Sequence, residues 1–312
     1  MVHGWIVLDK PVDIGSTQCV SAVKRALRDA GEPKTRVGHG GTLDPLASGV
    51  LPIAVGEATK LAGRMLEATK AYEFTIRFGE ETATLDTEGA ITATSESRPS
   101  LADIEAILPR FTGTIEQVPP VYSALKIAGK PAYARARAGE ALEMHPRQVT
   151  ISELSVRPVR SQGADRVDEI TLAATVSKGT YIRSLARDIA HALATVGHVT
   201  MLRRTRAGPF GLEMAISLDK LADLAKGRTL DGAVLPLVAG LDDIPALPVT
   251  PEQALLLRHG QRLVGTPAKG PHQGSTLMEL RPGLHLAMDG ETPVALVEVS
   301  AGDIRVVRGF NL

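Results

Sequence analysis

Gly38-His39-Gly40-Gly41-Thr42-Leu43-Asp44-Pro45-Leu46-Ala47-Ser48-Gly49-Val50-Leu51-Pro52 gathers four glycines and two prolines around one carboxylate. Glycine admits positive φ and close backbone approach, while Pro45 fixes its own φ and drives Asp44 toward extended geometry. The Asp44 side chain is therefore presented at a defined angle from a shaped loop. Taken alone, the same composition also builds a structural turn in which an aspartate bonds its own backbone. The alternative is a rigid loop that presents a single acid for chemistry.

Outward from this loop, periodicity predicts the flanking elements. Residues 5–8 read as a strand ending in Asp9-Lys10-Pro11. A helix follows with Ser16 as its N-cap, Val20, Val23, Leu27 and Ala30 as its apolar stripe, and Gly31 at its C-cap. Residues 50–55 form a short buried strand and 58–66 a helix. Residues 72–78 alternate, with Tyr72, Phe74, Ile76 and Phe78 on one face, as in a half-buried strand. A short helix covers 101–109, and a second alternating strand covers 167–177. The next helix carries Ile182, Leu185, Ala186, Ile189 and Leu193 and ends by Gly197. Helices and strands mix without a regular βαβ repeat, which predicts an α+β fold around a mixed central sheet flanked by helices. Four prolines between 236 and 251 read as a linker with separate cores on either side, dividing the chain into 1–247 and 248–312. Beyond it, segments 277–280, 284–288, 294–299 and 304–307, with turns at Asp289-Gly290 and Gly302-Asp303, suit a small β-barrel.

Composition narrows the function classes. The 312-residue chain is 44% hydrophobic with a formal net charge of zero, which disfavours a binder that coats nucleic acid with its whole surface. Charge is uneven along the chain. Residues 178–210 hold six basic side chains against Asp188, and residues 80–110 hold seven acids against Arg98 and Arg110, so a charged face is one reading and scattered solvated charges the other. No apolar run approaches the roughly 18 residues that span a bilayer, and residues 5–8 are too short for a signal peptide. A cytoplasmic, membrane-free protein is expected. The single cysteine, Cys19, reads as a packed core thiol. No Cys/His grouping, Walker loop or dinucleotide fingerprint occurs, so no metal site is expected.

The Asp44 loop, with Gly56-Glu57-Ala58-Thr59-Lys60 after it, resembles the catalytic-aspartate loop of the TruB family of tRNA pseudouridine synthases. Further islands carry the resemblance across residues 1–210: Trp5-Ile6-Val7-Leu8-Asp9-Lys10-Pro11, Lys70-Ala71-Tyr72-Glu73-Phe74, Pro119-Pro120-Val121-Tyr122-Ser123-Ala124-Leu125-Lys126, Ser177-Lys178-Gly179-Thr180-Tyr181-Ile182-Arg183-Ser184-Leu185 and His198-Val199-Thr200-Met201-Leu202-Arg203-Arg204. The resemblance implies a pseudouridine-synthase catalytic domain followed by a PUA-like RNA-binding domain. It also implies isomerisation of uridine 55 in the tRNA T arm, with tRNA as the partner. No protein partner is implied, and a monomer is expected.

The family reaction breaks a glycosidic bond and rejoins the ribose to carbon 5 of the same uracil, a redox-neutral isomerisation balanced in atoms, so the resemblance implies no cofactor. A fixed carboxylate suits the positive character this creates at the sugar, and the resemblance gives that role to Asp44. It places Arg183 beside Asp44 to keep it ionised, and Tyr72 against the uracil as a stacking ring or proton acceptor. A phenol with a reference pKa of about 10 favours stacking; periodicity alone would equally make Tyr72 a core residue. Tyr181 and Leu202 match positions lining the uracil pocket, and His39 matches the histidine that contacts the flipped nucleotide. Lys10 and Lys126 match supporting or phosphate-contacting positions, and Arg203 and Arg204 are expected on the RNA track. Gly40 departs from the threonine or alanine common in the family, which predicts a looser loop. Two other readings share these residues: a tRNA-remodelling protein without turnover, for which Asp44 has no use, and the catalytic subunit of a guide-RNA complex. Activity of the isolated chain on free tRNA separates the latter.

Overall fold

The apolar run at Trp5 forms strand β1 (Gly4–Lys10). With β2 (Val37–His39) and β3 (Ala47–Val55) it frames the glycine-rich loop, since both β1 and β2 pair antiparallel with β3. The computed structural model describes residues 2–158, 166–264, 281–300 and 303–312. Further along the chain come β4 (Lys70–Phe78), β5 (Gly113–Gln117), β6 (Arg147–Val156), β7 (Glu169–Val176), β8 (Gly197–Ala207) and β9 (Leu235–Pro236). They assemble in the order β9-β1-β3-β8-β4-β7-β6-β5, with β8 parallel to β3 and the other pairings along this path antiparallel. This is the mixed sheet of an α+β fold.

Helix α1 (Ser16–Asp29) buries Cys19, Val23, Ala26 and Leu27 against Ile6, Leu8, Leu51 and Ile53. Each fully buried aliphatic side chain there contributes roughly 1.5–3 kcal/mol. Gly31 follows the helix with φ +86°, the left-handed conformation that glycine adopts without penalty. Ser16 is not the N-cap. Gly15 holds that position in extended geometry, with its own N–H donated to Gln18 Oε1 at 2.6 Å. The Ser16 hydroxyl turns to the backbone of Leu43 instead. A second helix, α2 (Ile182–Ala192), packs Leu185, Ala186 and Ile189 into a separate cluster with Phe74, Ile76 and Leu172. It ends at Leu193, with Ala194 in the left-handed region, and Gly197 opens the next strand.

Strand β8 joins the two halves of the sheet, and its pattern is irregular because its pairing with β4 shifts register twice, between Val199 and Met201 and between Arg204 and Arg206. Each bulge resets the inward and outward alternation. Its parallel contact with β3 is close. At Gly49, φ is +103° and a Cβ would stand 2.1 Å from the Arg204 carbonyl oxygen, so glycine is required where the loop enters β3.

The proline-rich stretch has little slack. Pro236 pairs with Gly4, Trp5 Nε1 donates to Leu237 O at 3.1 Å, and β10 (Ala246–Pro248) is already an edge strand of a second sheet. That sheet adds β11 (Leu263–Val264), β12 (Gly283–Asp289), β13 (Thr292–Ser300) and β14 (Asp303–Gly309) in the order β10-β12-β13-β14-β11. The expected strand at 277–280 and the Gly302 side of the second turn lie outside the described residues. The second sheet has its own core around Leu247, Leu257, Val297 and Ile304. However, Leu286, Leu296 and Phe310 bury against Trp5, Val7 and Phe210, so the expectation of wholly separate cores is corrected. Lys60 Nζ also donates to Gly309 O and Asn311 N to Glu57 Oε2, both at 2.8 Å. Deleting residues 248–312 is therefore expected to lower the melting temperature by at least about 10 °C, since the lost cover amounts to several kcal/mol at about 2–4 °C per kcal/mol. Thermal circular dichroism of the truncated chain checks this.

Candidate active site

The loop between β2 and β3 is pinned from behind. Arg204 Nε donates to Val50 O at 2.7 Å and Nη2 to Gly41 O at 3.1 Å. Pro45 O accepts Lys10 Nζ at 3.1 Å and Asp13 N at 2.8 Å. Gly40 leaves no space for a side chain, because an added Cβ would lie 2.6 Å from Met65 Cβ. The expectation of a looser loop is thus corrected: Met65 packs where a larger residue at position 40 would extend. From this framework the Asp44 side chain reaches solvent, 44% exposed, with Oδ2 2.9 Å from Arg183 Nη2.

Arg183 is the second residue of α2 and its side chain is only 7% exposed. Nη2 also donates to Tyr122 O at 3.0 Å, and Nη1 to Thr84 O at 2.8 Å and Asp86 Oδ2 at 3.1 Å. One guanidinium thus bridges two carboxylates, a half-exposed one and a buried one. Bonds to several acceptors set its orientation, and with it the counter-charge beside Asp44. Asp86 is absent from the sequence reading. It follows Leu85, whose φ is +63°, and its Oδ1 accepts from the Thr84 hydroxyl and from Glu88 N. In the sequence it is one acid among seven; only its placement against Arg183 distinguishes it.

Asp44, Arg183, Tyr72, Tyr181 and Leu202 line one cavity of about 110 Å³, together with Thr42 and Thr180. Tyr72 and Leu202 are partly buried and pack against both main core clusters, so the cavity opens at their seam. Burial pushes the Tyr181 phenol up, and Asp44 adds to the shift. A larger cavity of about 380 Å³ shares Asp44 and Arg183 and is also lined by His39, Tyr122, Tyr133 and Arg137. Burial, then the Arg204 guanidinium, pushes the His39 imidazole below its ordinary value, which keeps the ring neutral at pH 7. Tyr133 and Arg137 are a second omission of the sequence reading. They belong to the short helix Ala132–Arg137, with the Arg137 guanidinium 5.8 Å from the Tyr133 ring centroid, and their spacing of four along that helix was the available signal.

Three of the four basic residues expected on the RNA track do not have free cationic ends. Lys10 is fully buried, with Nζ donating to Pro11 O, Ile14 O and Pro45 O, so it supports the loop and does not meet a phosphate. Arg204 is 1% exposed and bonded to backbone carbonyls. Arg203 forms a two-pronged pair with Asp9 at 2.8 and 3.0 Å. Lys126 is exposed on a hairpin. Within the basic run at 178–210, Lys178 pairs with Glu67 and Arg187 with Asp188, while Arg206 is exposed on β8, so most of its charge is neutralised locally and does not form a continuous cationic face. Arg204→Met is expected to cost about 3 kcal/mol of stability, because it strands buried carbonyl acceptors. The salt dependence of RNA binding by the folded protein should not change. Urea unfolding and a salt titration of binding check the two halves.

A profile of the TruB family pseudouridylate synthase N-terminal domain matches residues 26–182, and one of the tRNA pseudouridylate synthase B C-terminal domain matches residues 183–242. The tRNA pseudouridine synthase B of Novosphingobium aromaticivorans is 59% identical, over 100% of this chain and 98% of its own length. The protein of the same name from Zymomonas mobilis is 56% identical over 99% and 96%. Among solved structures, a chain of an H/ACA RNP bound to a substrate RNA containing 2'-deoxyuridine aligns with a TM-score of 0.71, covering 99% of this chain and 86% of that one. At 23% identity this is a likeness of fold.

Proposed function

Since the chain belongs to the TruB family of pseudouridylate synthases, we propose that it isomerises uridine 55 of tRNA to pseudouridine through the cavity at Asp44. The observation that carries the reading is the Asp44 carboxylate, held 2.9 Å from a buried guanidinium at the mouth of a cavity walled by Tyr72, Tyr181 and Leu202. A base in a folded tRNA must first leave its stack, at a cost of a few kcal/mol. His39, neutral and partly exposed beside Asp44, suits a ring that stacks on the displaced nucleotide.

In the reaction the bond from ribose C1′ to uracil N1 breaks, the Asp44 carboxylate supports the positive character at C1′, and uracil turns within the cavity. A bond then forms from C1′ to C5, the C5 proton leaves, and N1 gains one, so atoms and charge balance. Arg183 keeps Asp44 charged and aimed, while Tyr72 and Leu202 confine the free base. We assign the chemistry to residues 1–247 and RNA orientation to 248–312, where six basic and six acidic residues favour shape over long-range attraction.

We further propose that the chain acts on free tRNA in the cytoplasm as a monomer. Among the described residues no helix is long and apolar enough to cross a membrane. The test is incubation of the purified chain with an unmodified tRNA transcript, followed by mapping of pseudouridine. Product at position 55 from the isolated chain supports the reading, and tRNA binding without product favours a remodelling protein instead.

A further inference from the structure

We propose that Ser16 is a positioning residue for Asp44, acting through the backbone of Leu43; this rests on the role of Asp44 proposed above. The Ser16 hydroxyl accepts from Leu43 N at 2.9 Å and donates to Leu43 O at 3.1 Å. One side chain thus satisfies both backbone groups of the residue that precedes the carboxylate. Ser16 and Leu43 are each 4% exposed, so water does not readily replace these bonds.

A serine at a helix start ordinarily caps its own helix. Here Gly15 is the cap residue and the Gln18 side chain holds the Gly15 N–H, which frees the Ser16 hydroxyl for Leu43. Ser16 stands on the first turn of α1, whose Cys19, Val23 and Leu27 are locked in the core. The hydroxyl therefore reaches the loop from a rigid element. On the other side of Asp44, Pro45 O is held by Lys10 Nζ and Asp13 N, and Asp13 has φ +66°.

Both neighbours of Asp44 are thus tied to the end of β1, the start of α1 and the turn between them. The Asp44 side chain itself is 44% exposed and, among the described residues, its ion pair is with Arg183, so its aim depends on where the backbone places Cα. Removing the Ser16 hydroxyl leaves the Leu43 N–H and C=O unpaired in a buried place, and the loop must shift to satisfy them. A displacement of about 1 Å at a reacting group costs about 10²-fold in rate.

The test is single-turnover kinetics on unmodified tRNA with enzyme in excess, comparing the wild type, Ser16→Ala, Ser16→Thr, Val23→Ala and Asp44→Asn. Ser16→Ala should slow the rate constant at saturation roughly 10- to 100-fold, with the Kd for tRNA within about twofold of wild type. Ser16→Thr, which keeps the hydroxyl, should recover most of the rate. Val23→Ala weakens the same helix but leaves both Ser16 bonds to Leu43 in place, so its rate per folded molecule should stay at the wild-type level. A wild-type rate in Ser16→Ala overturns the proposal, as does an equal slowing in Val23→Ala. If Ser16→Ala does not fold, Ser16→Cys replaces the strong donor with a weak one and should be slowed; a wild-type rate there overturns the proposal as well. An active wild type with an inactive Asp44→Asn shows that any such failure concerns Ser16 alone, whereas an inactive wild type overturns the assigned reaction.

Discussion

Asp44→Asn is expected to reduce pseudouridine formation by at least about 10⁴-fold while tRNA binding stays within a few-fold of wild type. The asparagine keeps the shape and an oxygen that can accept from Arg183, whose other terminal nitrogen stays paired with Asp86, so the loop has no new reason to move. What is lost is the negative charge, the one property that supports a cationic sugar carbon or forms a bond to it. Affinity for tRNA comes largely from phosphate contacts, to which a carboxylate does not contribute favourably. Mapping of product and filter binding on the same preparation separate the two effects. More than a trace of pseudouridine would remove Asp44 from the chemistry.

Arg183→Met should slow isomerisation about 10²- to 10³-fold, equivalent to about 3–4 kcal/mol. The substitution keeps a similar length but leaves both Asp44 and the buried Asp86 without their counter-charge. Arg183→Lys should recover only part of the rate, because a point charge on a flexible stem cannot hold two carboxylates and two carbonyls at fixed angles. With its side chain 7% exposed, Arg183 has little surface to offer a phosphate, so tRNA affinity should again stay within a few-fold. A large fall in affinity with an unchanged rate at saturation would make it an RNA contact and refute its role beside Asp44.

Strands and helices with clean periodicity were legible. The alternation at Tyr72, Phe74, Ile76 and Phe78 became β4, and the stripe from Val20 to Leu27 became α1, with Ala30 as its C-cap. Strand β8 was not read as a strand, because two register shifts break the alternation on which such a reading depends. The prolines between 236 and 251 suggested a linker between separate cores. Yet Pro236 and Pro248 sit at strand ends, and the two sheets share buried side chains across that stretch.

The sequence by itself determined the α+β class, the glycine-shaped loop that presents Asp44 and, by resemblance, the family of reaction. These follow from residue types and their spacing along the chain. Only the tertiary structure decided which charges are free. Arg204 and Lys10, cationic in any composition count, are enclosed and bonded to carbonyls, while Asp86, one acid in a polar run, faces Arg183. Ser16 likewise turns from its own helix to a residue 27 positions away. A side chain's partner and exposure are set by contacts between distant segments, and no local pattern encodes them before the sheet brings β1, β3 and β8 together.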